Sequence, residues 1–202
     1  MSLRKDQEVI TELIEPGIKV IDIGCGSGEL LAALEENKGV TGHGLEIASE
    51  KVSTALASGI SAIQGDGDTD LQYYPDKSFD YAILGQTLQI MRHPKMVLQD
   101  ALRIAKKVIV VIPNFGHFKN RIYLATRGRM PVTSKLSYQW YETPNIHFCT
   151  IKDFIVLAEE IGCKIEKKLY MDGKGKTRPF SGNGSLHANL FGDFGIFVLS
   201  KD

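Results

Sequence analysis

Short apolar runs alternate with amphipathic stretches along the first half of the chain. The apolar runs are rich in β-branched residues, which is typical of buried parallel strands, and they lie at 18–23, 42–47, 62–64, 79–84 and 107–112. Apolar residues recur at helical spacing at 4–15, 29–36, 49–57 and 94–104. Strands that alternate with helices predict an α/β, Rossmann-like, doubly wound and mainly parallel sheet.

The alternation stops after residue 112. Residues 113–150 combine prolines, aromatic residues and basic residues, and we expect an inserted lid or recognition segment that is partly helical. A helix at 151–161 and strands at 164–171 and 195–200 follow, so the pattern predicts seven strands, the last one antiparallel. The Gly-rich stretch 172–188 predicts a mobile loop. Because there is no repeat and no linker-like boundary, we expect one domain over residues 1–202.

Charge is balanced overall but unevenly distributed. The 202 residues carry 24 basic and 24 acidic side chains, yet residues 101–141 hold eight basic residues and no acidic residue. Nucleic-acid binding is not expected, since it is usually marked by a wholly basic domain with aromatic stacking platforms. An anionic small substrate or an acidic partner surface fits this local charge. No apolar run reaches the ~18 residues of a membrane span, and three cysteines at unrelated spacings are typical of a cytoplasmic protein.

A glycine-rich turn leaves the first strand and opens a helix. It reads Asp22-Ile23-Gly24-Cys25-Gly26-Ser27-Gly28. Gly24 and Gly26 permit a tight turn and close approach of a ligand, and Gly28 permits close packing of the helix. The spacing differs from the Gly-x-Gly-x-x-Gly of NAD enzymes, and an acid lies inside the motif. S-adenosylmethionine (SAM) and S-adenosylhomocysteine lack phosphate and carry a cationic amine, so the motif predicts one of these ligands. The alternative for Asp22 is a solvated turn residue.

Acidic and polar residues also follow the next predicted strands. Glu46 ends the second strand and could accept both ribose hydroxyls. Asp66, after the third strand, could accept from the adenine amino group, although Asp68, Asp70 or a plain solvated loop remain alternatives. Glu46 could equally be a surface charge. The candidate cofactor-binding residues are Asp22, Gly24, Cys25, Gly26, Gly28, Glu46, Ile47, Asp66, Gly67 and Gln86.

Catalytic groups are harder to predict than binding groups. His117 follows a strand end and is a candidate base, with a hydrogen-bonded loop histidine as the alternative. No metal site is predicted, because His147 and Cys149 have no second pair of ligands. The candidate substrate or partner residues of the inserted segment are Arg121, Arg127, Arg129, Tyr138, Trp140 and Tyr141. The alternatives are a solvated basic helix and aromatic side chains that fill the segment's own core.

Several longer runs resemble the MetW family of methionine biosynthesis proteins. They include Gly128-Arg129-Met130-Pro131-Val132-Thr133 and Trp140-Tyr141-Glu142-Thr143-Pro144-Asn145-Ile146-His147. The resemblance covers residues 4–172 and implies a class I, SAM-dependent methyltransferase fold and an association with a homoserine O-acyltransferase. Two functions follow as hypotheses. One is methyl transfer from SAM to a small acceptor, and the alternative is a non-catalytic, SAM-responsive partner or activator of the acyltransferase.

Overall fold

A computed structural model describes residues 3–133, 138–182 and 186–201. Within these residues the strands are β1 (Lys19–Ile23), β2 (Thr41–Glu46), β3 (Ala62–Gln64), β4 (Phe79–Gly85), β5 (Ala105–Pro113), β6 (Lys164–Met171), β7 (Thr177–Pro179) and β8 (Phe194–Ser200). The helices are α1 (Lys5–Leu13), α2 (Glu29–Lys38), α3 (Ser49–Ala57), α4 (Pro94–Ile104), α5 (Phe118–Arg127), α6 (Ile151–Glu160) and α7 (Leu186–Phe191).

All of these strands form one sheet in the order β3-β2-β1-β4-β5-β8-β6-β7. Strands β1 to β5 pair in parallel, and β8 pairs antiparallel with both β5 and β6. The predicted Rossmann-like, doubly wound, mainly parallel sheet is therefore confirmed. The order reverses between β1 and β4, and the carboxyl ends of strands at such a point form a crevice that binds ligands.

Apolar side chains cover both faces of the sheet. One core packs α4 and α6 against the sheet around Leu84, Val108 and Phe197. The other packs α1 and α2 against the opposite face around Ile10 and Ile83. Central strands covered on both faces are expected to be mostly apolar, which explains the apolar runs at 79–84 and 107–112.

The described residues contain eight strands where the sequence predicted seven. The additional strand is β7, which forms an antiparallel hairpin with β6 inside the stretch predicted as a loop. The hairpin turn is held by Asp172, whose Oδ1 accepts the backbone N–H groups of Lys174 and Lys176 at 3.0 and 3.1 Å. The short helix α7 was also missed. A three-residue strand has no measurable periodicity, so the turn chemistry of Asp172 was the only available signal.

Within the inserted segment, the described residues 114–133 and 138–150 contain one helix, α5, and otherwise follow an irregular path. His117 caps α5 by accepting the backbone N–H of Lys119 at 3.2 Å. Further along, the N–H groups of Ile146 and His147 both donate to the carbonyl of Gln89, which attaches the segment beside the end of β4. Among the described residues, no helix is long and apolar enough to cross a membrane.

Candidate functional site

A cleft of about 770 Å³ opens at the carboxyl ends of β1, β2 and β4. It brings together nine of the ten candidate cofactor-binding residues, namely Asp22, Gly24, Cys25, Gly26, Glu46, Ile47, Asp66, Gly67 and Gln86. The tenth, Gly28, lies at the start of α2 with φ +88°, where a Cβ would meet Ala55 and Ile60 at 3.2 to 3.3 Å. Gly28 therefore sets the packing of α2, as the sequence suggested, and lies outside the cleft lining.

Two glycines at the cleft, Gly24 and Gly67, leave no space for a side chain. Gly24 has φ +80°, and a Cβ built on it would lie 2.6 Å from Cγ2 of Thr87. Across the cleft, a Cβ on Gly67 would lie 2.8 Å from Cε of Met91. Glycines at such positions let the backbone approach a ligand directly. Thr87 and Met91 both line the cleft, so a side chain at Gly24 or Gly67 would displace residues of the cleft wall.

Glu46 is buried and braces the glycine turn. Its Oε2 accepts the backbone N–H of Gly26 at 2.9 Å, and its Oε1 accepts the N–H of Ala48 at 3.0 Å. The sequence suggested a ligand-binding role or a surface charge for this carboxylate, and it did not predict the contact with the turn. Each oxygen retains a lone pair, so the same group can hold the turn and accept from two further hydroxyls.

Asp22 carries a carboxylate at the base of the cleft, where it is almost entirely buried. Burial raises the pKa of Asp22 from 3.8 to about 7, and the nearby charge of Arg4 opposes that rise, while Glu46 and Glu29 add to it. In the described part of the chain its side chain has no hydrogen-bond partner. Such a group favours a ligand that brings a positive charge.

The three aspartates after β3 have different contacts. Asp66 lines the cleft and accepts the N–H of Asp68 through Oδ1 at 2.9 Å. Asp68 also lines the cleft, but its two oxygens accept the N–H groups of Arg92 and His93, both at 2.8 Å. Asp70 accepts the N–H of Asp66 at 2.8 Å. Asp68 and Asp70 thus shape the loop, and Asp66 has more capacity left for a ligand.

The first turn of α1 also lines the cleft, which the sequence analysis missed. Arg4 and Gln7 are lining residues, and Asp6 accepts the side-chain N–H of Gln86 at 2.8 Å. Gln86 has φ +65°, a conformation that side chains rarely adopt outside functional sites and turns. A signal did exist, because Gln7 precedes Ile10 by three positions and therefore lies on the apolar face of the helix.

The candidate base His117 lies outside the cleft lining. Its Nδ1 caps α5, its Nε2 lies 3.6 Å from Oδ1 of Asp193, and burial lowers its pKa. This placement matches the hydrogen-bonded loop histidine that was the alternative. Cys25 lines the cleft, but burial raises the pKa of its thiol to about 12, so it stays protonated near neutral pH. No group of three or more potential metal ligands lies among the described residues.

The candidate substrate or partner residues divide into two groups. Tyr138 lines the cleft together with Ile146, so the inserted segment contributes to the cleft wall. Trp140 and Tyr141 are mostly exposed and contact each other edge to face at 5.6 Å. The remaining candidates, Arg121, Arg127 and Arg129, are all exposed.

These three arginines differ in how firmly they are held. Nε of Arg121 donates to the carbonyl of Gly116 at 2.5 Å, so this side chain is fixed to the base of α5. Arg127 and Arg129 make no ion pair with any described residue. Of the three, Arg127 and Arg129 can therefore meet a partner without giving up an ion pair to any described residue.

Carboxylates outnumber cations around the cleft. Of its lining residues in the described ranges, five are acidic, namely Asp22, Glu29, Glu46, Asp66 and Asp68. Three are basic, namely Arg4, Lys51 and Arg92. This balance favours a ligand with positive charge over one with phosphate groups.

Comparison with known proteins places the chain among methyltransferase-like proteins. Residues 4–199 match the family model described as methionine biosynthesis protein MetW. A bifunctional methionine biosynthesis protein MetXA/MetW of Rhodopirellula baltica is 33% identical over 181 residues, which are 85% of this chain and 29% of that protein. The chain thus spans less than a third of that relative. A demethylmenaquinone methyltransferase of Bacillus licheniformis is 29% identical over 75% of this chain and 72% of its own length.

Solved structures show the same fold. A SAM-dependent methyltransferase from Thermotoga maritima superposes with a TM-score of 0.72 at 20% identity, covering 98% of this chain and 88% of the other. A SAM-dependent methyltransferase from Mesorhizobium loti gives a TM-score of 0.70 at 14% identity and covers 98% of both chains. The fold is therefore the class I methyltransferase fold that the sequence predicted.

Proposed function

Since the chain belongs to the MetW family of methionine biosynthesis proteins, we propose that its cleft binds SAM or S-adenosylhomocysteine and that it transfers the methyl group of SAM to a small acceptor. The observation that carries this proposal is the contact of Glu46 with the glycine turn. The N–H of Gly26 donates to Glu46 at 2.9 Å. The carboxylate occupies a backbone N–H of the turn that a phosphate would need, and it suits a ribose, so a nucleoside without phosphates fits best.

The residues present fit such a ligand at three points. In this proposal Glu46 accepts from the ribose hydroxyls, Asp66 and the exposed Ile47 contact the adenine, and the buried carboxylate of Asp22 attracts the cationic end. SAM, when bound, supplies an electrophilic methyl group on a sulfonium. The chain's own contribution is to hold the two reactants in line, which can provide most of the acceleration in such a displacement.

The acceptor would lie between the end of β4 and the inserted segment. Gln86 and Thr87 line this part of the cleft from below, and Tyr138 and Ile146 line it from the segment. No histidine belongs to the described lining. An acceptor that needs no strong base, or one that is already deprotonated, is therefore the better match.

Calorimetry with S-adenosylhomocysteine over a range of pH tests the proposal. Binding is expected, and the affinity should rise roughly tenfold between about pH 6 and pH 7.5, because the ammonium of the ligand favours the ionised form of Asp22. In the ligand-free chain the raised pKa of Asp22 makes the folding stability fall with pH, whereas the ligand affinity rises with pH. Stability should be greatest below about pH 4 for this group and should fall as pH rises through 7, since ionisation leaves a buried charge.

Asp22→Asn is the matched control for both pH effects. The variant should bind more weakly at pH 7.5, and its affinity and melting temperature should lose the portion of pH dependence that Asp22 contributes. Failure of the wild-type chain to bind either ligand at millimolar concentration would refute the proposed function. If the variant shows the same pH profile as the wild type, Asp22 does not contact the ligand.

A partner role is the second candidate function. The Rhodopirellula baltica relative combines MetXA and MetW in one chain, which supports an association with a homoserine O-acyltransferase. Helix α5 supports it too, because Ile122 and Leu124 are 56% and 41% exposed although they are apolar. An apolar surface flanked by arginines that pair with no described residue suits a partner with an apolar and acidic surface.

Arg127→Ala with Arg129→Ala tests where recognition takes place. The double variant should keep its affinity for S-adenosylhomocysteine and its melting temperature, because both arginines are exposed and unpaired among the described residues. It should lose turnover with radiolabelled SAM and a metabolite extract, or lose affinity for the acyltransferase, and added salt should reproduce that loss in the unchanged chain. Full turnover and full partner affinity at low salt would show that the segment 113–150 is not the recognition surface.

A further inference from the structure

A second cavity, the chamber, has a volume of about 150 Å³ and lies beside the turn that follows β4. Leu88 and Gln89 of this turn line the chamber. The residues before and after them, 86–87 and 90–92, line the cleft instead. The two cavities share no lining residue in the described part of the chain. The chamber is therefore a separate site and not an extension of the cleft.

The wall of the chamber is mainly apolar. Its apolar residues come from the turn after β4, the start of α4, the end of β5 and the helix α6, and they are Leu88, Pro94, Ile112, Phe154 and Leu157. An apolar cavity of about 150 Å³ can take a molecule of the size of benzene. The volume therefore limits a ligand to about six to eight non-hydrogen atoms.

Gln89 brings one polar group to this apolar wall. The residue is only 5% exposed, and its Nε2 donates to the backbone carbonyl of Gln86 at 2.6 Å. Because a carbonyl oxygen can only accept, this contact fixes which end of the amide is the NH₂ group. The other end, Oε1, is buried and has no hydrogen-bond partner among the described residues. A buried acceptor without a partner costs free energy, and a ligand that brings a donor removes that cost.

We propose that the chamber binds a small neutral molecule with an apolar alkyl or aryl body and one hydrogen-bond donor, which donates to Oε1 of Gln89. A charged ligand fits less well, because an apolar wall does not replace the water that a charge loses. Asp153 also borders the chamber, but its Oδ2 caps α6 by accepting the N–H and the hydroxyl of Thr150 at 2.9 and 2.8 Å. Its carboxylate is thus already engaged.

Gln89 also connects the chamber to the cleft. Its backbone carbonyl accepts the N–H groups of Ile146 and His147 at 3.1 and 3.0 Å, and its side chain holds Gln86. Ile146 and Gln86 both line the cleft. A donor bound at Oε1 polarises the amide and strengthens the hydrogen bond from Nε2 to Gln86. Occupation of the chamber should therefore raise the affinity of the cleft for its ligand, a consequence that rests on the proposed function, and the effect must be reciprocal.

An NMR titration of the full chain with phenol and with toluene tests the site. The two probes have the same number of non-hydrogen atoms, and only phenol carries a donor. Phenol should bind with a Kd of about 1 mM or lower, and it should shift the amide signals of Leu88 and Phe154 but not that of Gly26. Gln89→Met keeps the length of the side chain and removes the acceptor, so it should weaken phenol by about three- to tenfold. Toluene should stay within about twofold, and it reports any change of shape caused by the lost bond to Gln86.

Leu157→Phe fills the chamber and should weaken both probes by about tenfold or more, because it removes the space that they need. Val156→Phe is the matched control. Val156 is the preceding residue of α6, is 54% exposed and does not line the chamber, so this variant should bind both probes like the unchanged chain. Thermal melts show that both variants are folded at the temperature of the titration.

Calorimetry with S-adenosylhomocysteine tests the connection to the cleft. Saturating phenol should raise the affinity for S-adenosylhomocysteine about two- to fivefold in the unchanged chain and leave it unaltered in Gln89→Met. An unaltered affinity in both chains would show that the chamber does not act on the cleft.

Three results of the titration would overturn the site itself. They are no shift at Leu88 and Phe154 with phenol, phenol binding that persists in Leu157→Phe, and an equal loss of phenol and toluene in Gln89→Met. If the chain does not bind S-adenosylhomocysteine at all, the proposed function fails, but the titration still decides whether the chamber is a binding site, because it needs no cleft ligand.

Discussion

Replacing Glu46 by glutamine should weaken S-adenosylhomocysteine binding by roughly 100-fold or more, because hydrogen bonds to a charged group contribute about 1.5–3 kcal/mol each. The loss has two parts. The amide can accept through one oxygen only, so one of the N–H groups of Gly26 and Ala48, now 2.9 and 3.0 Å from the carboxylate, would face an NH₂ group. The ribose would also lose an acceptor. Calorimetry measures the loss, and a thermal melt measures the change in stability.

Glu50→Gln is the control for that experiment. Glu50 lies in the first turn of α3, is exposed, and is not a lining residue of the cleft. Its variant should bind like the unchanged chain. Equal affinities of Glu46→Gln and Glu50→Gln would contradict the assignment of the ribose to Glu46.

Replacing Gly24 by alanine should destabilise the protein by about 2–5 kcal/mol, the combined cost of overpacking and of a left-handed backbone in a residue with a side chain. The new Cβ would lie 2.6 Å from Cγ2 and 2.9 Å from Oγ1 of Thr87, and φ is +80°. Displacing Thr87 would also deform the cleft, so ligand binding should fall with stability. Chemical denaturation measures the first effect and calorimetry the second.

Two further variants separate the clash from the backbone strain. Gly59 has φ +83° and open space around a Cβ, so Gly59→Ala should cost only the left-handed penalty of about 1 kcal/mol. Adding Thr87→Ala to Gly24→Ala removes the clashing atoms and should recover part of the stability. If Gly24→Ala costs no more than Gly59→Ala, the close contact with Thr87 does not constrain the turn.

The sequence predicts the elements that have strong periodicity and misses those that lack it. The helices at 49–57 and 94–104 have the predicted bounds, because their apolar residues repeat at helical spacing and their ends are marked by Ser49 and Pro94. Strand β7 has only three residues, and α7 has six, so neither shows a pattern that distinguishes it from a loop. Pairing with β6 decides the conformation of β7, and such tertiary effects are invisible in a short window.

The residues of the site also fall into those that the sequence predicts and those that it misses. Residues at the carboxyl ends of strands, such as Asp22 and Glu46, could be predicted because the topology fixes where the ends of parallel strands meet. Arg4 and Tyr138 come from segments whose position depends on packing and not on strand order, and the structure brings both to the cleft. The sequence placed Tyr138 only in a broad recognition segment and gave Arg4 no role.

The place of β8 in the sheet has a consequence for the order of folding. This strand follows β6 and β7 along the chain but lies between β5 and β6, with Val110 opposite Phe197 and Leu169 opposite Ile196. During synthesis the outer edge of β5 stays unpaired until roughly 80 further residues have been added. Contacts between residues so distant in sequence form slowly. The β6–β7 hairpin cannot join the sheet until β8 arrives. The nascent chain therefore exposes an apolar strand edge for longer than a sheet in which neighbouring strands follow one another along the chain. The chain is most prone to aggregation during this interval.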